Sequence, residues 1–94
     1  MTDTPARILV VDDERDTCDL LEMALSRQGM QVTTCTTAAD ALEKVASRDF
    51  DVVLSDLTMP DVSGLELCER IIALRPDLIA RAGIAFCPEE RGIF

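Results

Sequence analysis

Residues 7–13 of this 94-residue chain read RILVVDD, and this stretch decides the fold. The apolar run at residues 8–11 is largely β-branched and stops abruptly at Asp12 and Asp13. A continuous apolar run of this kind is typical of a strand covered on both faces, as in parallel sheets. Residues 51–56, DVVLSD, repeat the pattern and end in Asp56. The two segments therefore predict parallel strands with carboxylates at the carboxyl edge of their sheet.

A helical pattern follows the first strand. Cys18, Leu21 and Leu25 recur at helical spacing, acids crowd the first turn, and Gly29 supplies a stop. These features predict the first helix over about residues 14–28.

The rest of the chain repeats this alternation. Residues 31–35 predict a second strand, and residues 38–48 predict a second helix. A third helix is expected to begin near Leu65 and to be ended by Pro76, and residues 83–87 have the character of a short fourth strand. Strands that alternate with helices across short connections favour right-handed βαβ units. We therefore expect an α/β fold, an open parallel sheet with helices on both faces.

Composition limits the classes of partner. A chain of 94 residues forms one small domain, and its net charge of −9 disfavours direct binding to nucleic acid or to anionic membranes. No apolar run approaches the roughly 18 residues of a membrane span, so a cytoplasmic location is expected. Four cysteines without a C-x-x-C pair, in a chain without histidine, are expected to be reduced core thiols; they are Cys18, Cys35, Cys68 and Cys87.

The three strand-end acids carry the chemistry. Ligands of open α/β sheets bind at the carboxyl edge, where Asp12, Asp13 and Asp56 would converge if their strands are neighbours. Carboxylates at short range repel one another, and a hard divalent cation such as Mg²⁺ resolves the conflict. The alternative is that the first two acids only cap the first helix and Asp56 only starts a turn. Their pairing at two strand ends favours the metal site.

Two segments resemble the signature stretches of response-regulator receiver domains, namely residues 8–14, ILVVDDE, and residues 51–64, DVVLSDLTMPDVSG. The resemblance covers about residues 6–77. It implies a flavodoxin-like sheet with strand order 2-1-3, extended by strand 4 if that strand forms. It also implies a phosphoacceptor of a two-component phosphorelay that is not a turnover enzyme. The wording of the second stretch is most like receivers of transcription regulators.

The resemblance also assigns roles to residues. Asp56 would take the phosphoryl group from a phosphohistidine of a sensor histidine kinase. Asp13 would bind Mg²⁺ directly, Asp12 mainly through water, and Thr58 through its backbone carbonyl, with Asp56 completing the set. Phosphoryl transfer depends on positioning and charge neutralisation, because an anionic nucleophile must approach an anionic phosphate. No other cofactor is expected.

The chain also departs from the family pattern. Complete receivers have five strands and five helices, with a Ser or Thr after strand four and a Lys after strand five. Here no Ser or Thr follows Ser63, and the single lysine is Lys44. We therefore expect a partial receiver-like domain over residues 1–77, truncated after the third helix, and an atypical tail over residues 78–94.

The tail weakly resembles a stretch of branched-chain amino-acid ABC-transporter ATP-binding subunits. No glycine of the chain precedes a lysine as a phosphate-binding loop requires, which excludes nucleotide binding by that route. A chimeric joint and a divergent fourth strand both fit this tail.

Two functions remain open on sequence grounds. One is the magnesium-dependent phosphoacceptor, and the other is a receiver-like interaction module that acts by oligomerisation without switching. A haloacid-dehalogenase-like phosphatase has the wrong spacing, because it needs Asp-x-Asp after strand one. A homodimer or higher oligomer is expected from an under-protected sheet edge. An exposed apolar patch is expected from Ile71, Ile72, Leu74, Ile84, Phe86, Ile93 and Phe94.

Overall fold

The computed structural model describes residues 4–56, 59–60, 62–81 and 83–87, with side chains through residue 78. Strands and helices alternate along the chain up to α3, which the short helix α4 separates from the last strand. The strands are β1 Arg7–Val11, β2 Gln31–Cys35, β3 Val52–Asp56 and β4 Gly83–Cys87. The helices are α1 Arg15–Ser26, α2 Ala38–Ser47, α3 Gly64–Leu74 and α4 Pro76–Arg81.

The four strands form one parallel sheet in the order β2-β1-β3-β4. This confirms the expected order 2-1-3 and the fourth strand at residues 83–87. Strands β1 and β3 are therefore central, and in the described part of the chain β2 and β4 lie at the edges. The central position explains the continuous apolar runs of β1 and β3, because each has strands on both sides and packing on its faces.

Alternate residues of β1 enter two different cores, as the two-residue period of a strand requires. Ile8 and Val10 pack with the fully buried Cys18 of α1 on one face. Leu9 and Val11 pack on the other face in a larger cluster that α2 and α3 cover. The remaining buried members of that cluster are Cys35, Ala38, Ala41, Val45, Phe50, Val53, Met59, Leu67, Ile71 and Leu78.

Local signals begin the second and third helices. The Thr37 hydroxyl accepts a hydrogen bond from the Asp40 amide at 3.1 Å, and the Ser63 hydroxyl accepts one from the Glu66 amide at 3.1 Å. Each bond satisfies a backbone donor that has no partner within the helix. Helix α1 ends before Gly29, whose φ of 87° suits a residue without a Cβ.

One element was not predicted, and one expectation needs correction. Helix α3 ends before Pro76 as predicted, but Pro76 then begins α4, because a proline is tolerated at the first position of a helix, where its missing N–H has no acceptor. Ile71 does not belong to an exposed patch, since it is 1% exposed and faces the α2–α3 core. Ile72 and Leu74 are exposed as expected. The side chains of the other four residues of that patch lie outside the described set.

The thiol prediction holds for two of the four cysteines. Cys18 and Cys35 are buried free thiols, whereas the free thiol of Cys68 belongs to a residue that is only half-buried. The side chain of Cys87 lies outside the described set.

Candidate metal centre

The register between the central strands brings the predicted acids together. Val11 of β1 lies beside Ser55 of β3, so Asp12, which follows β1, and Asp56, the last residue of β3, lie side by side. One carboxylate oxygen from each of Asp12, Asp13 and Asp56 lies within 4.8 Å of the others. The structure therefore gathers the three acids at the carboxyl edge of the two central strands.

The three carboxylates differ in exposure. Asp12 and Asp56 are 2% and 1% exposed, whereas Asp13 is exposed to solvent. Two acids thus form the floor of the site and one stands at its rim. An open pocket of about 360 Å³, lined by Glu14, Arg15 and Asp16, lies over the adjacent first turn of α1.

Hydrogen bonds fix the turn that carries the first two acids. The Asp12 amide donates to the carbonyl of Cys35 at 3.1 Å, which extends the pairing of β1 with β2 by one residue. The Asp12 Oδ1 atom accepts a hydrogen bond from the Glu14 amide at 2.9 Å. An aspartate that bonds its own backbone two residues on forms a local turn of this kind. This turn replaces a side-chain cap at Glu14, where α1 has none.

A buried thiol lies beneath the same turn. The Cys18 Sγ atom is 3.4 Å from the Asp12 carbonyl oxygen and 3.7 Å from the Cys35 carbonyl oxygen. Burial, followed by the nearby Asp12 charge, raises the pKa of the Cys18 thiol above its usual range. The group therefore remains a protonated donor at neutral pH. Sequence reasoning identified Cys18 as a core residue but missed these contacts, because no pattern shows where a thiol hydrogen points.

The donor set fits a hard cation. All three candidate ligands are carboxylates, and Mg²⁺ prefers oxygen ligands at about 2.1 Å while keeping several waters. Oxygens spread over 4.8 Å suit direct contacts combined with contacts through water. Thr58, which the sequence also assigned to this set, lies outside the described residues.

Comparisons with known proteins identify the family of this chain. The sequence profile of the response regulator receiver domain matches residues 8–81. The chain belongs to this family. Receiver domains are signalling modules of two-component systems rather than turnover enzymes, and this one shares their flavodoxin-like fold. The DNA-binding transcriptional regulator NtrC of Azospirillum brasilense is 42% identical over 73 residues, which are 78% of this chain and 15% of NtrC.

Other relatives are shorter or have solved structures. The receiver protein CpdR of Brucella abortus is 36% identical over 72 residues, 77% of this chain and 60% of CpdR. The chain thus spans only part of the length of either relative, 15% of NtrC and 60% of CpdR. Among solved structures, the chemotaxis protein CheY4 of Vibrio cholerae superposes with a TM-score of 0.82 at 26% identity, covering 95% of this chain and 77% of CheY4.

Two solved structures of one response regulator bear on the site. TrrA of Thermotoga maritima in complex with Mg²⁺ and beryllium fluoride superposes with a TM-score of 0.73 at 28% identity, covering 90% of this chain and 89% of TrrA. TrrA in complex with the histidine kinase ThkA superposes with a TM-score of 0.75 at 37% identity, covering 86% of this chain and 66% of the matched chain. Across the described part of this receiver domain, no helix has the length and apolarity needed to cross a membrane.

Proposed function

We propose that this receiver domain accepts a phosphoryl group on Asp56 from a phosphohistidine of a sensor histidine kinase. Mg²⁺ would be held by Asp12, Asp13, Asp56 and the backbone carbonyl of Thr58. One observation carries the proposal, namely the three carboxylates within 4.8 Å at the ends of two adjacent central strands. When bound, Mg²⁺ neutralises the charge that builds up between an anionic nucleophile and an anionic phosphate.

The residues of the site divide the work. A carboxylate oxygen of Asp56 attacks phosphorus, an O–P bond forms, and the P–N bond to the donor histidine breaks. The imidazole nitrogen keeps the electron pair of that bond. Burial of Asp56 at the end of β3 holds its carboxylate in one place and limits access of water to the product. The fixed turn at Asp12 presents the other two acids beside it.

The relatives support this assignment by what they bind. TrrA was crystallised with Mg²⁺ and beryllium fluoride, and also with its histidine kinase. We extend both properties, a magnesium site and a kinase partner, to this chain. The likeness to NtrC extends to a place in transcription regulation. A cytoplasmic location, self-catalysed acceptance without turnover, and no direct contact with nucleic acid or membranes complete the proposal.

The second part of the proposal is the domain organisation. A receiver-like unit over residues 1–77 is followed by a tail over residues 78–94, whose Leu78 packs in the core of that unit and whose strand β4 pairs with β3. We expect a homodimer or higher oligomer, because β4 lies at an edge of the described sheet and an edge strand offers unpaired backbone groups. Sedimentation across a concentration series tests this assembly. A monomer at every concentration contradicts it.

The test of the phosphoacceptor is intact mass after incubation with acetyl phosphate and Mg²⁺. The wild type should gain one phosphoryl group, and Asp56→Asn should gain none. Asp51→Asn is the matched control, because Asp51 immediately precedes the same strand, at the end opposite Asp56, and bonds Arg7. It should be labelled like the wild type. An unlabelled wild type, or equal labelling of Asp56→Asn, contradicts the proposal.

A further inference from the structure

The Cys18 side chain lies beneath the site and contacts the backbone of Asp12 rather than its carboxylate. It is fully buried in the first turns of α1, and its thiol lies against the carbonyl oxygens of Asp12, just after β1, and of Cys35, the last residue of β2. One side chain thus joins a helix to the ends of two strands. The Asp12 residue that it contacts is also held at its amide by Cys35 and at its carboxylate by Glu14.

The bonded carbonyl belongs to the peptide group between Asp12 and Asp13. A peptide group is planar, so a contact that holds its carbonyl also restricts the orientation of the two Cα atoms that it joins. The backbone from which both carboxylates of the turn extend is then restricted beside Asp56 on the neighbouring strand. Without the thiol contact, the Asp12 carbonyl loses the hydrogen bond from Cys18.

We propose that Cys18 is a positioning residue of the metal centre, whose thiol holds the Asp12–Asp13 peptide in the orientation that presents both carboxylates to a divalent cation. The inference rests on the proposed function, because the orientation of the Asp12–Asp13 peptide affects metal binding only if these acids bind a cation. Groups that orient ligands from outside the coordination sphere commonly change metal affinity when they are removed. A thiol is a weak donor, so the effect is modest.

Cys35 offers a matched control. It is also a buried free thiol, at 2% exposure, and it belongs to the opposite core. Burial and the neighbouring Asp40 raise the pKa of its thiol to about 12. Its backbone carbonyl, not its thiol, bonds Asp12. Cys35→Ala therefore also removes a buried thiol from a core, but it leaves the contact between the Cys18 thiol and the turn in place.

The experiment compares Cys18→Ala, Cys18→Ser and Cys35→Ala with the wild type by Mg²⁺ titration and by denaturant unfolding. Cys18→Ala should bind Mg²⁺ about threefold to fivefold more weakly, which corresponds to the loss of one modest hydrogen bond. Cys18→Ser keeps a donor and should stay within about twofold of the wild type. Cys35→Ala should lose stability as Cys18→Ala does, yet keep its Mg²⁺ affinity.

Amide hydrogen exchange without metal gives a second readout. In Cys18→Ala the amides of Asp12 and Glu14 should exchange faster relative to that of Leu9, and Cys18→Ser should restore them. Unchanged exchange at those two amides overturns the inference, whether or not Mg²⁺ binds. Equal loss of affinity in Cys18→Ala and Cys35→Ala also overturns it. A wild type that binds no Mg²⁺ contradicts the proposed function instead, and the exchange comparison still decides the role of Cys18.

Discussion

Aspartates have opposite surroundings at the carboxyl edge of the sheet, where the strands end, and at the amino edge, where they begin. At the carboxyl edge, Asp12, Asp13 and Asp56 are gathered beside one another. At the amino edge, Asp51 meets Arg7, whose amide donates to Oδ2 at 2.8 Å, and Asp49 meets Arg75 at 2.6 Å.

Opposite charges in contact stabilise a fold at either edge, whereas like charges in contact cost stability. The amino edge therefore contributes to stability. At the carboxyl edge we expect mutual repulsion among the three carboxylates to cost stability, and a bound cation to remove that cost. The amino edge thus holds oppositely charged pairs, and the carboxyl edge holds the acids to which we attribute the proposed phosphoacceptor function.

The largest effect should follow removal of the metal. Chelation of Mg²⁺ should slow phosphoryl uptake from acetyl phosphate by about a hundredfold or more, because one lost electrostatic contact at a reacting centre commonly costs that much. The rate is measured by intact mass over time. NaCl at matched ionic strength is the control, since screening alone should not restore the rate. Uptake that is indifferent to chelation contradicts the assignment of chemistry to this edge.

The exposed acid gives the next largest effect. Asp13→Asn should weaken Mg²⁺ binding by about tenfold, because a neutral amide replaces a charged ligand. Without metal the same variant should be more stable by about 1 kcal/mol at low salt, since a like-charge contact is removed. Mg²⁺ titration and urea unfolding measure the two effects. A less stable variant in the absence of metal contradicts the view that this edge carries a stability cost.

Added salt separates this charge effect from a packing effect. The gain of Asp13→Asn should shrink as salt rises, because Asp13 is exposed and its interactions are screened. A gain that does not change with salt would point to packing instead.

Much of the fold follows from local sequence. The strands at residues 7–11 and 31–35 begin and end where predicted, and β3, predicted over residues 51–55, is displaced by one residue to Val52–Asp56. The central strands were predictable because buried parallel strands are short apolar runs between clear stops, and β2 was predictable because it is short, β-branched and alternating. The convergence of Asp12, Asp13 and Asp56 was also predictable, because it follows from strand order alone.

What could not be predicted depends on tertiary packing. Ile71 and Ile72 are the same residue type in adjacent positions, yet one is buried and the other is 43% exposed. The spacing of four residues from the buried Leu67 favours Ile71 as the core residue, but the packing of α3 against α2 is what shows it. Pro76 is compatible with both the end of one helix and the start of the next, so α4 was missed. The thiol contact of Cys18 depends on the relative placement of α1, β1 and β2.

Arg75 tests the amino edge. This side chain is 20% exposed, and it donates to the Val45 carbonyl at 2.9 Å and to both Asp49 and Asp77. It therefore ties the end of α2 to the junction of α3 and α4. Arg75→Met should lower the urea midpoint clearly at pH 7 and leave Mg²⁺ affinity unchanged. The urea midpoint of Arg75→Lys should lie between those of the wild type and Arg75→Met, because lysine keeps the charge and loses the forked geometry.

The same cluster has a pH dependence whose sign is fixed. The hydrogen bond from Arg75 lowers the pKa of Asp77 below its usual range. The Asp77 contribution is therefore complete above the unfolded-state pKa and is lost as the pH falls through the lowered folded-state pKa. The difference between wild type and Arg75→Met should shrink as the pH falls below about 4. A difference that is constant from pH 7 to pH 2 would contradict the ion-pair explanation.

The smallest effect on stability is expected at Arg7. The Arg7 and Asp51 side chains are 42% and 48% exposed, and their contact is 3.5 Å. A solvent-exposed pair of this kind is worth about 0–1 kcal/mol, because water screens it and two side chains must be ordered. The bond from the Arg7 amide to Asp51 does not depend on the side chain of residue 7. Arg7→Met should therefore cost less in urea unfolding than Asp51→Ala, which removes both contacts. Equal losses would mean that the guanidinium, rather than the backbone bond, secures the amino edge.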